Sequence, residues 1–342
     1  MASILIVDDS IVARAALGRM IDATSRFVVV GAVATVGAAL DFLDRHRVDI
    51  ILLDLELPGT DGLTGLPDLI AAGQGAKVLV VSSAAGDGAV ATIQALALGA
   101  ADTLVKPSIG GFAARFAALL EERLARLADG ASPHHAPLQT RASAVPLPTV
   151  GPFDIVAIGA STGGIHALSA LLRAIPADCA VPILITQHLP ASFMSYFAAQ
   201  LELIGGRPCD VAENHMRVRP GRIVIAPGTG HLCLARSGDG VAVRLTEGAA
   251  ASGCLPSVDP MFDSVAQLFG ARALGVVLSG MGRDGSIGAR SLAAAGAPVL
   301  VQDRGSSVVW GMPGAVAEAG GATAVLPPEE IGRLIATWGG RG

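Results

Sequence analysis

The sequence predicts an α/β protein in two domains: a doubly wound, five-stranded parallel sheet first, then a second α/β domain on a mainly parallel sheet. Short apolar runs rich in Ile, Val and Leu recur along the chain, stop abruptly at polar residues and alternate with helix-period segments. Parallel strands buried under helices on both faces read this way. Charged residues are only 15% and aromatics 4% of 342 residues, which suits such buried sheets, and the length allows two ordinary cores. The boundary is marked from Asp129 to Pro152, where periodicity disappears and Ala, Pro and Ser accumulate. The expected domains are residues 1–127 and 153–342, joined by a semi-extended spacer over 128–152. His134 and His135 lie in that spacer and, with no further ligands nearby, read as a solvated pair.

The first strand is Ile4-Leu5-Ile6-Val7, which runs into Asp8-Asp9-Ser10. Phe27 to Val30 is the second, Ile50 to Leu53 the third, ending in Asp54, and Val78 to Val81 the fourth, ending in Ser82-Ser83. Thr103-Leu104-Val105 is the fifth and ends in Lys106-Pro107. Helical patterns separate them around Val12–Ala23, Val36–Arg45, Gly65–Ala72 and Ala89–Leu98. In an open doubly wound sheet the functional groups gather at the carboxyl ends of the strands. Those ends carry three acids, a hydroxyl and a lysine. Three carboxylates in one crevice repel one another unless a cation joins them, and hard oxygen donors suit Mg²⁺. A single acid there reads as solvated or as a helix cap, as Asp9 or Ser10 could be; the full set at matching ends does not.

Residues from about 3 to 125 resemble a response-regulator receiver domain, which is a flavodoxin-like fold. The resemblance implies that Asp54 accepts a phosphoryl group from a histidine kinase, and that Asp8 and Asp9 bind Mg²⁺ together with Asp54. It further implies that Ser82 is the switch hydroxyl and that Lys106 contacts the phosphoryl group. The turn Leu57-Pro58-Gly59-Thr60-Asp61-Gly62 carries Thr60 where a methionine is usual, and Thr103 stands where receivers carry an aromatic ring.

The second domain is organised around Asp154-Ile155-Val156-Ala157-Ile158-Gly159-Ala160-Ser161-Thr162-Gly163-Gly164, a strand, a sharp turn and the start of a helix. Gly159-Ala160-Ser161-Thr162-Gly163 fits the G-x-S-x-G nucleophile elbow, in which glycines let a tight turn lift the serine hydroxyl clear of the sheet. Such a turn also serves to cradle phosphate or simply to pack, but His166 stands where a phosphate loop needs Gly-Lys-Ser or Gly-Lys-Thr. A serine nucleophile needs a base, and the base an orienting group. His166, His188, His215 and His231 are the candidates; His188 ends the buried strand Val181 to Gln187, on the same edge as Ser161. Asp284 lies in the glycine-rich loop after the strand Ala273 to Leu278 and can orient His188, with Asp259 and Asp303 as rivals. Asp284 also reads as a cap for a helix beginning near Ile287.

Gly159 to Gly164, Gln187-His188-Leu189-Pro190, Ser257-Val258-Asp259, Ser279 to Gly285 and Ser307 to Pro313 closely resemble the catalytic domain of the chemotaxis protein-glutamate methylesterases, the CheB family. The resemblance implies a triad of Ser161, His188 and Asp284, with the backbone amides of Thr162 and Met281 as oxyanion donors. It implies a hydrolase that removes methyl groups from glutamates on the cytoplasmic helices of chemoreceptors, deamidates glutamines there, and is gated by phosphorylation. No cofactor is expected for that reaction. A binding module with the same fold and no turnover is the alternative. The net charge of -5 argues against nucleic acid. The four scattered cysteines suggest neither a zinc site nor disulfides, and no signal peptide opens the chain. The apolar segment from Ile155 to Leu172 is broken by Ser161, Thr162, Gly163, Gly164 and His166. A cytoplasmic monomer that meets the membrane only through receptors is expected.

Overall fold

Each predicted apolar run pairs with another in parallel, because its alternating side chains are buried on both faces and only a helical crossover can return the chain. The computed structural model describes residues 1–82, 87–106, 113–130, 151–238 and 240–339. Ser83, Pro107, His134, His135 and most of the predicted spacer lie outside these. The chain divides into two compact units, 1–133 and 134–342.

In the first unit β1 (Ala2–Val7), β2 (Phe27–Val33), β3 (Ile50–Asp54), β4 (Lys77–Ser82) and β5 (Asp102–Val105) form one sheet in the order β2-β1-β3-β4-β5. Every pairing is parallel. The helices are α1 (Ile11–Asp22), α2 (Val36–Leu43), α3 (Gly62–Gly73), α4 (Asp87–Leu98) and α5 (Ala113–Gly130). Ser10, Thr35 and Asp61 cap α1, α2 and α3 by accepting the amides of Ala13, Ala38 and Thr64. Helix α5 continues to Gly130, beyond residue 127, because its apolar stripe stays buried through Leu124 and Leu127. Strand order reverses direction between β1 and β3. Val7 pairs with Leu53 there, so Asp8 and Asp54 emerge side by side at the switch point.

The second unit carries a seven-stranded, wholly parallel sheet in the order β14-β13-β12-β6-β7-β9-β8. Its strands are β6 (Ile155–Ala160), β7 (Ile183–Gln187), β8 (Cys209–Val211), β9 (Ile223–Ile225), β12 (Ala273–Val277), β13 (Val299–Gln302) and β14 (Ala324–Leu326). A separate antiparallel hairpin, β10 (His231–Ser237) and β11 (Gly240–Thr246), packs beside α8 (Val258–Phe269). The other helices are α6 (Gly164–Arg173), α7 (Met194–Gly205), α9 (Ser286–Ala294), α10 (Gly311–Glu318) and α11 (Pro328–Trp338). The chain leaves central β6 towards β7 and later returns to its other side at β12. That second switch point lies where Ser161 follows β6.

Phe262 of α8 is fully buried in the core formed with Val258, Val265, Ala289 and Leu292. No helix among the described residues is long and apolar enough to cross a membrane. Truncating Phe262 to Ala leaves a cavity that neighbouring backbone cannot fill and lowers the stability of the second unit by about 3–5 kcal/mol. Calorimetry of the full chain will register this as a lowered unfolding transition.

Candidate active site

Three parallel strands that end level bring the predicted residues to one edge. Ala160 pairs with Gln187 and Gly159 with Val277, so the residues that follow β6, β7 and β12 emerge together. The His188 amide donates to the Ala160 carbonyl at 3.2 Å, and the Ser161 amide donates to the Ser279 carbonyl at 3.0 Å. The peptide of Ser161 is also held on its carbonyl, which accepts from the Gly164 amide at 2.8 Å and the Gln187 Nε2 at 2.9 Å. Ser279 Oγ donates to the Thr162 carbonyl at 2.8 Å. The turn then needs a left-handed residue. Gly163 supplies it at φ +75°, and a Cβ there would meet Val308 at 2.4 Å. The Gly280 backbone passes so close that a Cβ on it would lie 2.9 Å from Ser161 Cβ, which brings the segment of Met281 against the serine.

His188 Nε2 lies 2.8 Å from Asp284 Oδ2. The Asp284 carboxylate is 1% exposed and accepts three further hydrogen bonds: from Ser257 Oγ at 2.6 Å, the Val258 amide at 2.8 Å and the Gly285 amide at 3.0 Å. Burial alone would raise its pKa, but the bonds from His188, Ser257 and Val258 overcome it and hold the carboxyl down at about 2. The imidazole answers in the opposite sense. Burial would lower it, yet its bonds to Asp284 and to Cys254 raise it to about 9. His188 and Asp284 therefore form an ion pair at neutral pH.

The other histidines and acids take structural places. His166 and His215 are exposed, while buried His231 accepts the Ser257 amide on Nδ1 at 2.9 Å and bonds the Gly248 carbonyl through Nε2. Asp259 receives the amides of Ile287 and Gly288, so the capping role near Ile287 belongs to it and not to Asp284. Asp303 bonds within its own loop, to Ser306 and Gly305. Two neighbours were not foreseen. Ser257 caps α8 and also donates to Asp284, and the motif Ser257-Val258-Asp259 gives no sign of either bond. Cys254 has no motif around it; only folding brings its Sγ within 4.8 Å of ligand atoms of His188 and Asp284.

In the first unit one carboxylate oxygen each of Asp8, Asp9 and Asp54 lie within 4.8 Å of one another. Lys106 Nζ is 2.6 Å from Asp54 Oδ2 and 3.4 Å from Asp8 Oδ2. Burial raises the Asp54 carboxyl above its ordinary range, and Lys106 only partly counters this. Ser82 Oγ pairs with Thr92 Oγ1 of α4, whose hydroxyl hydrogen bonds the Gly88 carbonyl. Ser82 is thus turned towards α4 and not towards Asp54. Thr103 is buried, with a hydroxyl that lacks a hydrogen-bond partner among the described residues.

Two family models match: CheB methylesterase over residues 156–335 and the response regulator receiver domain over residues 4–111. A Caulobacter vibrioides protein named protein-glutamate methylesterase/protein-glutamine glutaminase 2 is 41% identical over 341 residues, covering 98% of each chain. A Nitrobacter hamburgensis protein named protein-glutamate methylesterase/protein-glutamine glutaminase is 38% identical over 96% of this chain and 91% of its own. Among solved structures, the CheB methylesterase catalytic domain of Thermotoga maritima is 34% identical and superposes with a TM-score of 0.53, covering 54% of this chain and 98% of that one.

Because an anionic partner stabilises the charged imidazole, removing that charge must lower its pKa. In Asp284→Asn the His188 resonance, followed by NMR against pH, will titrate well below the value near 9 of the parent protein.

Proposed function

Because this chain belongs to the CheB methylesterase family, we propose that it is a phosphorylation-regulated hydrolase that demethylates glutamate methyl esters on chemoreceptors and deamidates glutamines at such sites. The observation that carries the mechanism is the 2.8 Å His188–Asp284 pair on the strand edge where Ser161 emerges. In its neutral form His188 takes the proton of Ser161 Oγ as that oxygen attacks the γ-carbonyl carbon of the ester. Asp284 stabilises the imidazolium so formed. The oxyanion is received by the amides of Thr162, next to the nucleophile, and Met281, whose segment runs against it. Collapse of the intermediate returns the proton to the departing oxygen, and methanol leaves. Water, deprotonated by His188, then attacks the acyl-enzyme, releases glutamate and restores the serine. With a glutamine side chain the same steps release ammonia.

The receiver supplies the regulation. Asp54 is the phosphoacceptor, served by a histidine kinase, and Lys106 neutralises charge on the phosphoryl group. Asp8, Asp9 and Asp54 suit Mg²⁺: they offer hard, acceptor-only oxygens, and the buried Asp8 Oδ2 has no hydrogen-bond partner among the described residues. When bound, Mg²⁺ supplies positive charge against the phosphoryl oxygens. Ser82 then exchanges its bond to Thr92 for one to the phosphoryl group.

Replacing Ser161 by Ala will cut methanol release from a methylated receptor fragment by about 10⁴-fold or more. Retention of the parent rate would sink the assignment. Since only neutral imidazole can act as base and its pKa is raised, kcat/KM will climb with pH through a limb near 9, not near 6.5. A pH–rate profile flat above pH 7 would contradict this. Asp54→Asn will keep the basal rate and lose all stimulation by a small-molecule phosphodonor with Mg²⁺, measured on the same substrate.

A further inference from the structure

Cys254 stands beside a centre whose proposed reaction has no use for a thiol. Its Sγ, a ring nitrogen of His188 and a carboxylate oxygen of Asp284 all lie within 4.8 Å of one another. The cysteine is only partly buried and the His188 side chain is 17% exposed, so a small ion can reach both from solvent. Cys179, Cys209 and Cys233 are buried and, among the described residues, belong to no such cluster.

Sulfur, imidazole nitrogen and carboxylate oxygen on three protein ligands, with water in the fourth position, make a donor set that zinc accepts. Bond lengths of about 2.0–2.3 Å in a tetrahedron place ligand atoms about 3.2–3.7 Å apart. The three atoms here are near enough for side-chain torsions to close the site. Ser257 Oγ and the Gly285 amide hold Oδ1 of Asp284 and the Val258 amide holds Oδ2, which fixes the direction of the carboxylate, as outer partners do around zinc ligands. The thiol selects against Mg²⁺, which the all-carboxylate cluster of the first unit suits.

We propose that the centre of Ser161, His188 and Asp284 doubles as an inhibitory site for zinc, with Cys254 as the ligand that makes it one. The metal binds the sulfur as the thiol proton passes to solvent, and it takes the ring nitrogen's lone pair, releasing any proton held there. No electron is transferred. With that lone pair engaged, His188 can no longer accept the serine proton, and hydrolysis stops until a chelator removes the metal. The inhibition rests on the function proposed above; the binding does not.

Cobalt(II) is the probe, because a thiolate ligand gives it a charge-transfer band in the near ultraviolet and a tetrahedral site gives strong visible bands. The full chain is titrated with cobalt in excess Mg²⁺, which keeps the carboxylate cluster of the first unit filled. Both signals are expected, with displacement by zinc, and the charge-transfer band is expected to vanish in Cys254→Ser. Zinc at about ten times its dissociation constant will lower ester hydrolysis about tenfold. In Cys254→Ser, compared with its own metal-free rate, that concentration will have little effect. Absence of the charge-transfer band, or its survival in Cys254→Ser, overturns the site. Cobalt binding through Cys254 in a protein that hydrolyses no ester leaves the metal site standing and removes the esterase assignment. Hydrolysis without the cobalt signals does the reverse.

Discussion

A carboxylate taken almost wholly out of water must be surrounded by donors, and the second unit is arranged to meet that demand at Asp284. An ionised acid buried without partners is unstable by several kcal/mol and would take up a proton instead. Four donors prevent this. They come from separate parts of the chain: His188 after β7, Ser257 and the Val258 amide at the start of α8, and the Gly285 amide beside the acid itself. The start of α8 also presents the positive end of its helix dipole. Removing any one donor leaves charge uncompensated, so the acid ties the mutual positions of β7, β12 and α8 to its own ionisation.

That arrangement needs α8 to sit close against the sheet, which explains a residue choice far from the chemistry. A Cβ on Gly159 in β6 would lie 2.5 Å from Val258 Cγ1, and one on Gly285 would lie 2.9 Å from the same atom. Small residues on both sides of Val258 let its amide reach Asp284. The packing of one apolar side chain thus supplies one of the bonds that keep a polar one ionised.

The five strands of the first unit and the central β6, β7 and β12 of the second were legible in the sequence, with the residues at their carboxyl ends, because runs such as Ile4–Val7 and Ile155–Ala160 are buried between two helical layers; the short outer strands β8, β9, β13 and β14 and the antiparallel hairpin were not. Ser161, His188 and Asp284 were legible for the same reason: each follows such a run directly or in the adjoining loop. The roles of Asp259 and Asp284 were harder to separate, since both are acids near helix starts and only tertiary approach decides which amides reach which oxygen. Ser257 stands in the sequence only within the motif Ser257-Val258-Asp259, and the fold gives it two functions, the cap of α8 and the bond to Asp284. Cys254 shows none in the sequence, because its neighbours are set by the path of a loop and no periodicity records that path.

The two acid centres handle buried negative charge in opposite ways, and the contrast explains what each can do. Around Asp284 every charge is answered from within the chain, and the result is a carboxyl held at about 2 and an imidazole raised to about 9. Such a centre needs nothing from solution to be ordered, and in the proposed mechanism a strongly basic imidazole favours proton abstraction from Ser161 at the expense of the fraction that is neutral. At Asp54, among the described residues, Lys106 pairs with Asp54 and Asp8, and the buried Asp8 Oδ2 has no hydrogen bond. That centre keeps a buried carboxylate oxygen open. A cation that arrives can join its carboxylates, which is the condition a regulatory input requires: a site satisfied by its own residues reacts, whereas a site left open responds.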